Sequence, residues 1–225
     1  MSENKQNSPD NTAQGISPQA DGPSSPSRRR LTGAGLGVSA IFTLASRPVL
    51  ATQCMSPSAA CSGNLSQHGT PPSCLGRTPG YWKTHTSPGE WPSPYQPGTC
   101  TSACTTPQGW NNGSTAFHAV FSGSNFKVDQ DSNPGTPKTS LTLQQVMVMN
   151  DSSYPGVTDP DNLGAHIVAA LLNAKSGKTP STILSESAVI GMWNEWVSTG
   201  HFQPTVGVQW NSAQIVAYLK TTMPL

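Results

Sequence analysis

Apolar residues fall into a helical rhythm only in the second half of this chain. Over residues 114–225 the i, i+3, i+4 spacing recurs between recognisable starts and stops. Ala116–Phe121 predicts a short helix with Phe117, Val120 and Phe121 on one side. Ser140 is placed to cap Leu141–Met149, where Leu141, Gln145 and Val148 share one line and Leu143, Val146 and Met147 another. Asp159-Pro160 supplies a cap and a first-turn proline for the strongest predicted helix, roughly 160–175, with Gly177 as its left-handed stop. Its stretch Ile167–Leu172 is apolar all round, so it is expected to be the central, buried helix. Ser185 caps a helix to Thr199 that Gly200 ends, with Val189, Met192, Trp193, Trp196 and Val197 turned inward. Asn211 with Gln214 forms a capping-box pattern that opens a last helix, whose Ile215, Val216 and Leu219 face the core. The only strand signal of any length is Pro204–Trp210.

Residues 52–113 hold no sustained period of either kind and are rich in Ser, Pro, Gly, Thr and Cys. The expected fold is therefore mainly α: a small helical domain (114–225) with a loop-rich, disulfide-pinned N-terminal portion (52–113). All five cysteines, Cys54, Cys61, Cys74, Cys100 and Cys104, lie in that portion. Five thiols allow two bridges in fifteen ways. The expectation is a short loop Cys54–Cys61 plus a bridge from Cys74 to Cys100 or Cys104, with the odd thiol pairing between chains. Cys100 with Cys104 is disfavoured if that stretch is helical, because i, i+4 geometry there suits a disulfide poorly.

The first 51 residues read as an export signal. Residues 1–27 are polar and too poor in apolar groups to build a core, so they are expected to be disordered. Arg28, Arg29 and Arg30 follow, then an uncharged run of 16 residues, Leu31–Ser46, diluted by Gly, Ser and Thr. A membrane-spanning helix needs roughly 20 apolar residues; this run is shorter, and Arg47 and Pro48 break it. The modest hydrophobicity and the Ser27-Arg-Arg-Arg-Leu31 patch resemble a twin-arginine signal, and Val49-Leu50-Ala51 supplies a small-residue exit, placing cleavage after Ala51. Cys54 follows Gln53 where a lipid-attachment site wants a small residue. The implied partners are the twin-arginine export machinery and signal peptidase, the destination is periplasmic or extracellular, and no stable membrane insertion is expected after cleavage.

Removing 51 of the 225 residues leaves 174, enough for one domain with a real core. Basic residues fall from 12 to 7 and acidic ones from 11 to 8, so the mature charge is about −1 with no basic cluster. That balance disfavours nucleic acid and anionic membrane surfaces as partners.

Residues 74–85 read Cys-Leu-Gly-Arg-Thr-Pro-Gly-Tyr-Trp-Lys-Thr-His. With Trp91-Pro92, the Phe117…Phe121 segment, Leu141-Thr-Leu-Gln and His166-Ile-Val-Ala-Ala-Leu-Leu-Asn-Ala174, this resembles a group of exported bacterial proteins that share a TPGYWKxH box and an AALLNA helix. The resemblance covers roughly residues 74–175; it implies an extracellular or periplasmic domain and carries no mechanism. Thr78-Pro79-Gly80-Tyr81 itself fits a type II turn, or a helix start with Thr78 as cap and Pro79 at the first position. In one reading Tyr81 and Trp82 seal the loop-rich part onto the helices. In the other they form a ring platform for a protein or glycan ligand, with Lys83 and His85 as polar handles.

Catalytic signatures for zinc proteases, serine hydrolases, phosphate loops and dinucleotide binding are absent from the sequence. Glu186 and Glu195, nine positions apart on one predicted helix, fall on opposite faces and cannot form a carboxylate pair. Asp129, Asp131 and Asn133 begin like a calcium loop, but its glycine comes one place late and Ser140 stands where a bidentate Glu belongs. The five histidines show no paired metal spacing; His85, His118 and His166 would have to assemble in space, and His166 is expected to be a buried, hydrogen-bonded imidazole. The leading expectation is thus a secreted or periplasmic, non-enzymatic structural or binding domain without a cofactor. The alternative is an exported protein bearing calcium, a transition metal or another cofactor, with redox or hydrolytic activity.

Overall fold

The computed structural model describes residues 54–62, 72–122, 127–128, 136–137, 141–149 and 159–224. The expected export segment with Arg28, Arg29 and Ala51, and the Asp129–Asn133 turn, lie outside the described residues. Among those described, seven helices carry the fold: α1 (Pro57–Ser62), α2 (Pro79–Thr84), α3 (Phe117–Val120), α4 (Leu143–Val148), α5 (Leu163–Lys175), α6 (Glu186–Thr199) and α7 (Ser212–Thr221). Three two-stranded antiparallel ladders accompany them: β1 (Thr99–Cys100) with β2 (Trp110–Asn112), β3 (Lys127–Val128) with β4 (Thr136–Pro137), and β5 (Phe202–Thr205) with β6 (Val208–Trp210). The described region is mainly helical, with few and short strands.

α5 is the hub. Leu163 to Asn173 are all buried, and α2, α4, α6 and α7 pack around it. A helix with no polar face needs neighbours on every side, and the amphipathic helices provide them. α6 turns Val189, Met192, Trp193 and Trp196 inward, and α7 turns Ile215, Val216, Tyr218 and Leu219. Trp193 meets Phe117 edge-on at 5.1 Å and Trp196 at 5.3 Å, extending the core as an aromatic cluster. Cys54, Cys74, Trp82, Trp91 and Tyr95 from the loop-rich portion join the same core, so both portions are buried against each other. No described helix is long and apolar enough to cross a membrane.

Several predicted boundaries hold. Ser185 Oγ accepts from Ala188 N, Gly200 ends α6 at φ 81°, and Asn211 with Gln214 forms a complete capping box. Thr78 Oγ1 accepts from Tyr81 N with Pro79 in the first turn, so the TPGY segment starts a helix. Three boundaries move. Thr142, not Ser140, caps α4, because Gln145 three residues on completes its box. The Pro204–Trp210 signal folds back as a hairpin instead of running straight, since Gly207 at φ 79° permits a turn at Val206-Gly207. Pro160 opens only a 3-10 turn, Pro160–Asn162; left-handed Asp161 and Asn162 interrupt it, and α5 begins at Leu163.

The cysteine pairing also differs from expectation. Cys54 bridges Cys74, and Cys100 bridges Cys104, leaving Cys61 free among the described residues. The i, i+4 bridge forms because the segment is not helical: Cys100 ends β1 and a turn follows, bringing the Cα atoms within 5.6 Å. Cys61 sits on α1, where its half-buried thiol has Trp210 of β6 as a hydrogen-bond partner.

Candidate functional site

The short helix α2 sends its side chains in different directions. Trp82 is buried, and its Nε1 donates to Asn173 Oδ1 on α5 at 3.0 Å. The same oxygen accepts from Arg77 N at 2.8 Å, while Asn173 Nδ2 donates to Arg77 O at 2.8 Å. One buried amide therefore holds the chain just before α2 through both backbone groups, and the indole besides. Trp91 Nε1 donates to Trp82 O at 3.3 Å, and Gln144 Nε2 of α4 donates to Lys83 O at 2.9 Å. The helix is fixed from below along its length.

Tyr81, half-buried, lies on another side. His85 stacks on its ring at 3.7 Å with 15° between planes, and the Arg77 guanidinium sits over the ring at 4.9 Å. The spacing of four residues on each side of Tyr81 makes a ladder, Arg77–Tyr81–His85. His85 Nδ1 lies 2.8 Å from Tyr81 O, and since a carbonyl can only accept, Nδ1 carries the proton there. Lys83, two positions from both Tyr81 and His85, is about 200° round the helix from each. The four residues singled out from sequence thus divide: Tyr81 and His85 come together, Trp82 turns into the core, and Lys83 projects elsewhere. Arg77 completes the ladder and was missed; an arginine four residues before a tyrosine was its only signal.

The acidic groups are engaged separately. Glu186 accepts from the Tyr95 hydroxyl and from Lys175 Nζ at 3.1 Å, and these partners, Tyr95 foremost, hold its carboxyl below the usual range. The burial of Tyr95 and that same contact push its phenol well up. Glu195 accepts from Gln203 N at 2.8 Å, tying α6 to the hairpin that follows it. His166 is buried with Nδ1 2.8 Å from Asn162 O, and burial pulls its imidazole below the ordinary value. Among the described residues no group of three or more His, Cys, Asp or Glu side chains gathers as a metal set, so His85, His118 and His166 are not brought to one centre.

No family model, no curated protein and no solved structure matches the chain.

Proposed function

We propose that this chain is an exported, non-enzymatic binding or structural domain, akin to the bacterial proteins that share the TPGYWKxH and AALLNA boxes. The observation that carries this reading is the pair of bridges Cys54–Cys74 and Cys100–Cys104 in the portion that follows the arginine-led segment. Disulfides of this kind persist in oxidising compartments and are rare where thiol reductants prevail. The ring ladder Arg77–Tyr81–His85 is the face offered to a protein or glycan, because it presents a half-buried aromatic flanked by polar groups on a helix locked from beneath.

Mass spectrometry of the native molecule tests the export half of the proposal. A first residue at Thr52 and four oxidised thiols are expected; an intact start with five reduced thiols would overturn it. Changing Arg28 and Arg29 together to Lys is expected to stop export while leaving the fold unaltered. The binding half is tested by screening glycan and peptide arrays with the native protein and with Tyr81→Ala: hits that vanish in the variant support the ladder, and hits unaffected by it remove the ladder from the reading.

A further inference from the structure

Every described carboxylate is engaged within the chain, and none of them reaches Arg77. Glu90 accepts from Ser87 N at 2.7 Å, Asp159 and Asp161 close the turn before α5, Glu186 takes Tyr95 and Lys175, and Glu195 takes Gln203 N. The Arg77 guanidinium has the Tyr81 ring against it at 4.9 Å, while its Nε is buried with no acceptor. A buried donor without an acceptor is costly, yet the fold keeps the group in place. The terminal Nη groups are not shut away with Nε; they make no hydrogen bond to the described residues and face the surface of this half-buried side chain.

The backbone fixes where that cation points. Leu75 N donates to Lys178 O at 2.8 Å, and the Asn173 amide holds both backbone groups of Arg77. Between them, a Cβ at Gly76 would lie 2.1 Å from Thr222 O, so position 76 faces the body of the protein. Successive side chains alternate along a stretch that is not helical, so Leu75 and Arg77 both turn outward. Leu75 is 59% exposed, one of two large apolar side chains so exposed among the described residues. At the other end of the ladder, His85 uses its Nδ1–H on Tyr81 O, which leaves the Nε2 lone pair as an outward acceptor. An unpaired cation, an exposed apolar side chain and a free acceptor thus share one edge of the α2 region.

We propose that this edge binds an acidic segment of a partner polypeptide: a Glu or Asp carboxylate takes the Arg77 Nη donors, a neighbouring apolar side chain covers Leu75, and a backbone N–H donates to His85 Nε2. The proposal rests on the reading of the ladder as a binding face and names its partner. Charge complementarity selects the carboxylate, since guanidinium and carboxylate form short, charge-assisted bonds. The ring itself disfavours a glycan. His85 covers Tyr81 one turn after it and Arg77 one turn before it, so neither face of the ring is open for a sugar to stack on.

The test uses the full chain with its bridges intact and a library of peptides blocked at both ends, each placing Glu or Asp beside Leu, Ile or Phe. Binding is read by fluorescence anisotropy, with Gln and Asn isosteres as controls and a glycan array run in parallel. Acidic peptides are expected to bind, and both the isosteric change and Arg77→Gln are expected to weaken them by about tenfold or more. Arg77→Gln keeps the backbone contacts with Asn173, and Leu75→Ser, on the outer side, gives a second variant expected to weaken the same peptides. Equal binding of acidic and neutral peptides, or acidic-peptide binding that Arg77→Gln leaves unchanged, would overturn the proposal. Glycan binding lost in Tyr81→Ala, with no acidic peptide bound, would overturn it too while leaving the ladder as a binding face. No response from either library would remove both.

Discussion

Trp82 and Asn173, 91 residues apart, share one hydrogen bond that joins the TPGYW segment to the central helix. Asn173 is fully buried, and the same amide also takes both backbone groups of Arg77. Replacing it by Ala would strand two donors and an acceptor in the interior. The expected loss is about 3 kcal/mol of unfolding free energy by urea titration, several times the roughly 1 kcal/mol of a single net hydrogen bond. Trp82→Phe removes one donor and leaves the Arg77 pair intact, so it should cost less than Asn173→Ala. Equal losses would mean the Arg77 contacts contribute nothing.

Gly76 has a purpose that conformational freedom does not explain. A Cβ built there would lie 2.1 Å from Thr222 O and 3.1 Å from Asn173 Nδ2. The loop approaches the end of α7 too closely for any side chain. Gly76→Ala is expected to destabilise by about 2–3 kcal/mol, in the range of overpacked cores, with the shift focused on residues 219–223 by amide exchange.

These two positions show what the sequence could and could not convey. Caps at Ser185 and Asn211 were legible, and Thr78 was legible as one of two readings, because each is decided by residues within three or four positions of itself. The inward faces of α6 and α7 were legible because their period is local too. Asp159-Pro160 misled: the pair looks like a cap and first turn, but the left-handed Asp161 and Asn162 delay α5 to Leu163, held there by contacts that include His166 and Ser212, distant in sequence or beyond the first turn. The cysteine pairing was out of reach, since Cys54 finds Cys74 through a fold that spacing does not encode. The most useful overlooked sign was Asn173 itself. An amide among the buried residues of a helix must find partners, and the nearest unexplained motif was the box it binds.

His166 gives a pH prediction whose sign follows from its burial. Burial lowers its imidazole below 6.5, so the folded chain prefers the neutral ring. Its contribution is fully present above pH about 6.5 and is lost as pH falls through the lower folded value. In a proton NMR titration the His166 ring signals should move with a midpoint below 6.5. His166→Gln should remove the corresponding part of the acid dependence of stability, and an unchanged pH profile would contradict the buried neutral ring.

The two bridges should differ in weight. Cys54–Cys74 closes a separation of 20 residues and pins a buried pair of half-cystines; Cys100–Cys104 closes only 4. On chain-entropy grounds, replacing the first pair by Ser should cost about 3 kcal/mol and the second about 2. The first loss should also release α1, because Tyr218 OH donates to Met55 O just beside Cys54, and that contact needs the segment held down. Peptide mapping without reductant should recover both bridges with Cys61 as the alkylated thiol. A Cys54–Cys61 bridge in that map would place α1 differently and would separate Cys61 from Trp210. Protease digestion of the double Ser variants then distinguishes the weights: early cleavage between 54 and 72 is expected for the first pair alone, because only that bridge anchors the chain ahead of α2.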